Sequence, residues 1–312
     1  MPADPINSNR LLAHLASTYG VAVTGLSALD AGVFRVARAD GPSWVARVFP
    51  ESRPPEGAAG DAAILRALER AGFPAERCAT DEPVSALEGR SVLVTEFVPS
   101  GPALRPGRTD ALLGALLGRL HAHPAPGVRA GGAWHHLSFT GTPRAEVAAA
   151  RELLERAQSV VGLRELSLYH ELCDAVERTD DCEDLPHGFV HADFVGPNAI
   201  PTADGMLVIV DWAGSGWGPR LWSLGFLLWA AGRRSPKLVD VVAGRYRLHV
   251  TLEPAELDRL AGAIRARPVM LECWSFAAGR RELADALARV EEAQRLASVI
   301  AEQARRALAG AS

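Results

Sequence analysis

The sequence of 312 residues lacks several features that would place it in a class at once. Its longest apolar run, LWSLGFLLWAAG at 221–232, falls far short of the roughly 20 residues a bilayer-spanning helix needs, so no membrane segment is expected. The opening MPADPINSNRLLAHLASTYG has neither a basic start nor an uninterrupted apolar stretch; no signal peptide, and a cytoplasmic location, are expected. The four cysteines, Cys78, Cys173, Cys182 and Cys273, form no Cys-x-x-Cys pair and have no histidine at zinc spacing, which predicts free thiols. With 33 Lys and Arg against 37 Asp and Glu, the net charge of −4 gives no electrostatic case for a nucleic-acid partner.

What is present is an ordinary folded chain, 48% apolar and 22% charged, long enough for two compact cores. Its hydrophobic pattern changes period along the way. Residues 8–19 carry Leu11, Leu12 and Leu15 at helical spacing. Short stretches of β character follow: VAVTGLSALD, VFRVARADGPSWVARVF and RSVLVTEFV. The second breaks at Ala39-Asp40-Gly41-Pro42, turn chemistry that makes it a hairpin. Between it and the third lies EGAAGDAAILRALERAGFP, with Ile64, Leu65, Leu68 and Ala71 on one helical face and a Gly-Phe-Pro stop. A small sheet carrying one helix is therefore expected over residues 20–98.

PSGPALRPGR, residues 99–108, is the expected linker. Beyond it the pattern is mostly helical, so the fold class is α+β. Thr109 is the expected N-cap of a helix whose stripe is Leu112, Leu113, Leu116, Leu117 and Leu120. Further helices are expected at about 144–158, 165–179, 220–231, 236–249, 254–266 and 281–308.

One β-rich stretch interrupts the helices: VHADFVGPNAIPTADGMLVIVDW, residues 190–212. Its segments AI and MLVIVD flank Thr202-Ala203-Asp204-Gly205, a second hairpin. Asn198 stands just before one strand, Asp211 ends the other, and Asp193 lies on the loop leading in. Turn chemistry would explain any one of them alone. Together, an amide and a carboxylate at one end of a ribbon suit magnesium held jointly with substrate phosphates. A carboxylate at the loop apex can take a proton from a hydroxyl aligned with a γ-phosphate. The run from His191 to Asn198 keeps the protein-kinase spacing His-Arg-Asp-x-x-x-x-Asn, with Ala192 in place of the arginine.

VHADFVGPNAI and VIVDWAGSGWGPR resemble the aminoglycoside phosphotransferase family, kinase-like enzymes of small molecules, over roughly residues 20–232. The resemblance implies a two-lobed protein-kinase-like fold: an N-terminal nucleotide-clamping lobe (1–98), a hinge (99–108) and a helical C-terminal lobe (109–312) with the catalytic loop and substrate site. It implies Asp193 as catalytic base, Asn198 and Asp211 as Mg²⁺ ligands, ATP or GTP as donor, and His191 as a structural member of the loop.

In such enzymes the third strand carries a lysine for the α/β-phosphates, paired with a glutamate on the following helix. Here WVARVF offers Arg47 and GDAAILRAL offers Asp61, a longer cation facing a shorter anion, and an Arg47–Asp61 pair is expected. Strand alternation puts Val45 on the face of Arg47, and Val45 with Val33 is the expected roof over an adenine ring. In VLVTEFVPSG, the hinge, main-chain groups of Glu96 and Val98 are expected to meet the base, with Thr95 at the back of the pocket.

Two departures stand out. Gly-x-Gly-x-x-Gly is absent, and the aspartate that usually starts the helix after the metal motif is replaced, at GPRLWSLGF, by Trp222. Its loop-anchoring role is assigned to Arg220 or the indoles of Trp212 and Trp217.

The function implied is γ-phosphoryl transfer from a nucleotide to a hydroxyl of a small molecule, antibiotic-like in character. A metabolite kinase of the choline or homoserine type stays open. So does a non-catalytic nucleotide- or drug-binding member, which the changes at Arg47, Asp61 and Trp222 favour and the survival of Asp193, Asn198 and Asp211 opposes. The pairs His121-x-His123 and His135-His136 have no converging third ligand and are expected to be loop and helix-end residues. The acidic run CDAVERTDDCEDLP (173–186) is expected to be a solvated face, and Glu253, Glu256, Asp258, Glu272 and Glu282 form no cluster for a cationic acceptor.

Overall fold

A computed structural model of the chain describes residues 7–122, 143–191 and 193–309. Helix α1 (Ser8–Tyr19) begins where Asn7 Oδ1 accepts from the N–H groups of Asn9 and Arg10, and stops at Gly20, whose φ of 64° ends the helix without steric cost. Its Leu11 and Leu15 are buried against one face of a five-stranded antiparallel sheet. The strands are β1 (Val23–Asp30), β2 (Val33–Arg38), β3 (Trp44–Val48), β4 (Val84–Leu87) and β5 (Arg90–Glu96), in the order β1-β2-β3-β5-β4.

Alternation sorts β3 cleanly. Trp44, Ala46 and Val48 join the core under α1, and Val45 and Arg47 face the other way. Register then places Val33 opposite Arg47, Arg47 opposite Leu93, and Val45 opposite Thr95. Val33, Val45, Arg47, Leu93 and Thr95 thus share the face turned from α1. Helix α2 (Pro55–Arg70) buries Ile64, Leu65 and Leu68 in the main core, each worth about 1.5–3 kcal/mol relative to exposure.

The rest is a helical lobe: α3 (Arg108–Ala122), α4 (Pro143–Ala157), α5 (Leu166–Glu177), α6 (Leu221–Gly232), α7 (Pro236–Tyr246), α8 (Pro254–Ala277) and α9 (Leu283–Ala309). Two ribbons interrupt it. β6 (His187–Val190) pairs with β9 (Gly216–Pro219), and β7 (Ala199–Pro201) with β8 (Leu207–Ile209). The two-lobed, protein-kinase-like α+β fold expected from the sequence is the fold of the chain. No helix among the described residues is long and apolar enough to cross a membrane.

Two local expectations are corrected, while the five-stranded type of sheet expected of the smaller lobe is present, its β4 joined to β5 through Glu88 and Gly89, both at positive φ. Thr109 lies inside α3, which starts one residue earlier. Helix α8 does not end at 266 but continues through Pro268 to Ala277. A mid-helix proline forfeits one hydrogen bond and costs about 3 kcal/mol; burial of Val269, Met270 and Cys273 offsets it. His123, His135 and His136 lie outside the described residues.

Candidate active site

The loop and ribbon after β6 lock to each other through main-chain groups. Ala199 faces Ile209 across β7 and β8, and the N–H of Val210 donates to Asn198 O at 2.9 Å. His191, 1% exposed, spans the two: Nε2–H donates to Val210 O (3.1 Å), and Nδ1 accepts from Asp193 N–H (3.2 Å). These roles require the neutral ring, and burial depresses its pKa accordingly. Asn198 closes a 3-10 turn, Gly196–Asn198, and donates from Nδ2 to Asp193 O at 3.1 Å, which points its Oδ1 elsewhere. Asp211 has φ +67°, a left-handed conformation that costs a non-glycine residue about 1 kcal/mol and is kept where a side chain must be aimed.

Ser223 anchors this loop. Its hydroxyl donates to His191 O (2.9 Å) and accepts from His191 N–H (3.1 Å). The hydrogen bonds of the aspartate missed at Trp222 are therefore supplied one residue later and not by Arg220, while the expected Trp212 indole packs edge-on against the His191 ring, centroids 4.7 Å apart. Arg220 pairs with buried Glu256 at 2.6 Å, Trp212 Nε1–H donates to Ile209 O, and Trp222 is packed on Val190 and Ala266. Trp217 sits in β9.

From the sheet, Arg47 reaches across to the ribbon: Nη1 lies 2.9 Å from Asp211 Oδ1. Burial works against its charge, but Asp211, Glu76 and Asp61 together hold its pKa above the ordinary arginine value. The expected Arg47–Asp61 pair does not form. Asp61, 1% exposed, instead accepts from Arg53 Nη2 at 2.7 Å and from Gly214 N–H at 3.3 Å. Arg53 enters from the turn before α2, and its guanidinium stacks 3.9 Å over the Phe49 ring. A short aspartate on α2 is satisfied by this nearer arginine, leaving Arg47 to the ribbon. Burial raises the Asp61 pKa to about 6, against the opposing pull of Arg53 and Gly214 N–H.

Glu76, on the segment after α2, ties the lobes together. Its Oε1 accepts from Asp211 N–H (2.8 Å) and its Oε2 from Thr95 Oγ1 (3.1 Å), and its own N–H donates to Ile209 O (3.0 Å). Burial raises its pKa and Arg47 offsets part of that. Val33 and Thr95 are buried and Val45 half-buried on the same face as Arg47. Glu96 is exposed and donates its N–H to Arg77 O at 2.8 Å, so its carbonyl is the main-chain group it can offer a ligand. Val98 is half-buried just beyond it.

Asp193 has a partner the sequence reading did not foresee. Arg267 of α8, 2% exposed, donates to Asp193 Oδ1 from Nη2 (3.0 Å) and Nε (3.3 Å), and from Nη1 to Glu146 Oε2 of α4 (2.7 Å). Glu146 is 4% exposed; burial raises its pKa against the pull of Arg267. Neither position carries a motif. A buried arginine reads in sequence like any solvated one.

Oxygen donors meet the requirement for a hard cation here. Asn198 has its amide nitrogen tied down and Asp211 its backbone held by Glu76, whose carboxylate oxygens already accept from Asp211 N–H and Thr95 Oγ1; the amide oxygen and the Asp211 carboxylate fit magnesium bound together with phosphate oxygens. Among the described residues no group of three or more His, Cys, Asp or Glu forms a protein-only metal cage. His121 is no ligand: it is buried, and its Nδ1 bonds Tyr246 Oη at 2.9 Å.

Two lobes, a strand cation meeting a ribbon carboxylate, and a His-x-Asp loop define a kinase-like protein. The model of the phosphotransferase enzyme family matches residues 23–262, and the chain belongs to that family. No curated protein matches it in sequence. Among solved structures, the amicoumacin kinase hAmiN in complex with AMP-PNP, Ca²⁺ and Ami superposes with a TM-score of 0.64 at 16% identity, covering 95% of this chain and 94% of that one. The choline kinase LicA from Streptococcus pneumoniae gives 0.63 at 12% identity over 94% and 100%. Spectinomycin phosphotransferase APH(9)-Ia, in complex with ADP and spectinomycin, gives 0.61 at 14% identity over 96% and 100%. At these identities the likeness is one of fold.

Proposed function

We propose that the protein transfers the γ-phosphoryl group of ATP or GTP to a hydroxyl of a small molecule, antibiotic-like or a metabolite alcohol. The observation that carries this reading is the meeting of Arg47 and Asp211 across the lobes, beside a loop that presents Asp193.

Val33 and Val45 roof the base, Thr95 closes the back, and the Glu96 carbonyl and Val98 main chain read its edge. Arg47, steadied electrostatically by Glu76 and Asp61, turns from Asp211 to the α/β-phosphates. Asn198 and Asp211 hold magnesium, which when bound neutralises charge on the phosphate oxygens. Asp193 accepts the proton of the acceptor hydroxyl as its oxygen bonds to the γ-phosphorus, and the bond to the bridging oxygen of the departing diphosphate breaks. His191 and Ser223 hold the loop and transfer no proton.

Several of the acidic groups that could have welcomed a polycation are already paired with arginines. Asp180 and Asp184 both pair with Arg259, Asp181 with Arg144, Glu256 with Arg220 and Glu272 with Arg281. This supports a neutral or singly charged alcohol as acceptor.

The test is a turnover screen with ATP and with GTP against hydroxylated antibiotics and amino alcohols, with magnesium. Acceptor-dependent release of nucleoside diphosphate is expected with at least one alcohol. Nucleotide binding without turnover on any of them would replace this reading by a non-catalytic binding protein of the same fold.

A further inference from the structure

Helix α8 packs against α6 and against the strand that leads into the catalytic loop. A Cβ at Gly225 of α6 would sit 2.6 Å from Ala263 O, so only glycine lets α6 and α8 approach this closely. One turn on, the small side chain of Ala266 packs against Val190, the last residue of β6, and Trp222. The next residue, Arg267, therefore emerges beneath the loop that begins at His191.

We propose that Arg267 is a positioning residue for phosphoryl transfer. It fixes Oδ1 of Asp193 so that Oδ2 is the oxygen presented to the acceptor hydroxyl, and buried Glu146 fixes the guanidinium in turn. The inference rests on the phosphotransferase reading and deepens it.

Both guanidinium contacts to Asp193 fall on Oδ1, from Nη2 at 3.0 Å and Nε at 3.3 Å. The Asp193 side chain keeps 27% of its surface exposed, against 2% for Arg267 and 3% for Glu146. Only one member of the triad is thus open to a ligand, and it is held from one side. Taking ions out of water is costly, and such groups are often no more stabilising than apolar ones. A guanidinium shared between two carboxylates is a poor device for stability alone and a good one for direction. Its planar fork reaches two carboxylates at fixed angles; an ammonium cannot hold both in the same way. The carboxylate must also be aimed within a fraction of an ångström, since a misplacement of 1 Å costs roughly 100-fold in rate.

The experiment compares wild type, Arg267→Met, Arg267→Lys and Glu146→Gln with an alcohol that gives turnover in the screen, and measures nucleotide binding of each by calorimetry. Arg267→Met is expected to lower kcat roughly 100-fold, with nucleotide affinity and KM within about threefold of wild type. Arg267→Lys restores about tenfold of the loss by keeping the charge without the fork, and Glu146→Gln shows a smaller kcat loss of the same kind. If Arg267→Met does not fold, the lysine and glutamine variants carry the test. Wild-type kcat in Arg267→Lys and Glu146→Gln, or a loss confined to nucleotide KM, overturns the assignment and leaves the phosphotransferase reading intact. A wild type inactive with every alcohol fails before any variant is made, and both conclusions fall together.

Discussion

Arg47 Nη1 lies 2.9 Å from Asp211 Oδ1, so this strand cation is neutralised by a carboxylate of the opposite lobe. The same two residues are the ones proposed to separate when nucleotide and metal bind. Replacement of either should therefore be read as a change in nucleotide handling.

Arg47→Met should weaken nucleotide binding by about 10- to 100-fold, the 1.5–3 kcal/mol of a hydrogen bond to a charged group, and Arg47→Lys much less. Asp211→Ala should abolish the magnesium dependence of binding. Calorimetry with and without Mg²⁺ checks both; unchanged isotherms in Asp211→Ala would place the metal elsewhere.

Asp193→Asn keeps the shape of the loop but removes the proton acceptor. Turnover with a competent alcohol should fall by roughly 10²- to 10⁴-fold, the usual worth of a general base. Nucleotide affinity should stay near wild type, because the Asp193 side chain contacts Arg267 rather than any residue assigned to the nucleotide. Steady-state kinetics beside a binding isotherm distinguishes this from general damage.

Ser223→Ala leaves the main-chain N–H and C=O of His191 without their hydroxyl partner. In a site as buried as this, the loss should be about 1–3 kcal/mol in stability. It should also lower kcat, since the freed loop carries Asp193. Denaturant unfolding alongside kinetics measures the two; full stability in Ser223→Ala would assign the anchoring elsewhere.

His121 sets a pH dependence. Burial, then the nearby Arg220, pushes its pKa down to about 3 from the ordinary 6.5. Between those values the unfolded chain binds a proton that the folded chain does not. Stability is therefore full above about pH 6.5 and falls as the pH drops toward 3, by about 1.4 kcal/mol per unit for this one group. His121→Gln removes the titration. Unfolding at pH 7, 6 and 5 should show the wild type losing stability faster than the variant; parallel curves would mean the ring is protonated in the fold.

The placement of the ribbon residues was legible because it is local. Asp193, Asn198 and Asp211 are held by a loop and a hairpin, whose spacing and turn residues are written in one short stretch of sequence. Alternation along β3 gave the shared face of Val45 and Arg47 for the same reason. The substitution of arginine for the usual lysine is in keeping with a chain that has a single lysine, Lys237, among its 33 basic residues.

Partner choice was another matter. Asp61 took Arg53 rather than Arg47, Glu76 joined the two lobes, Ser223 did the work sought at Trp222, and Arg267 reached Asp193 from a position five residues beyond the end of the family match. Sequence fixes which charges exist and on which face of a strand or helix they stand. Which of them meet depends on how closely elements pack, as where Gly225 admits α8 against α6, and on which buried charge finds the nearest counter-charge at least desolvation cost. Those are distances across the fold, and only the tertiary structure decided them.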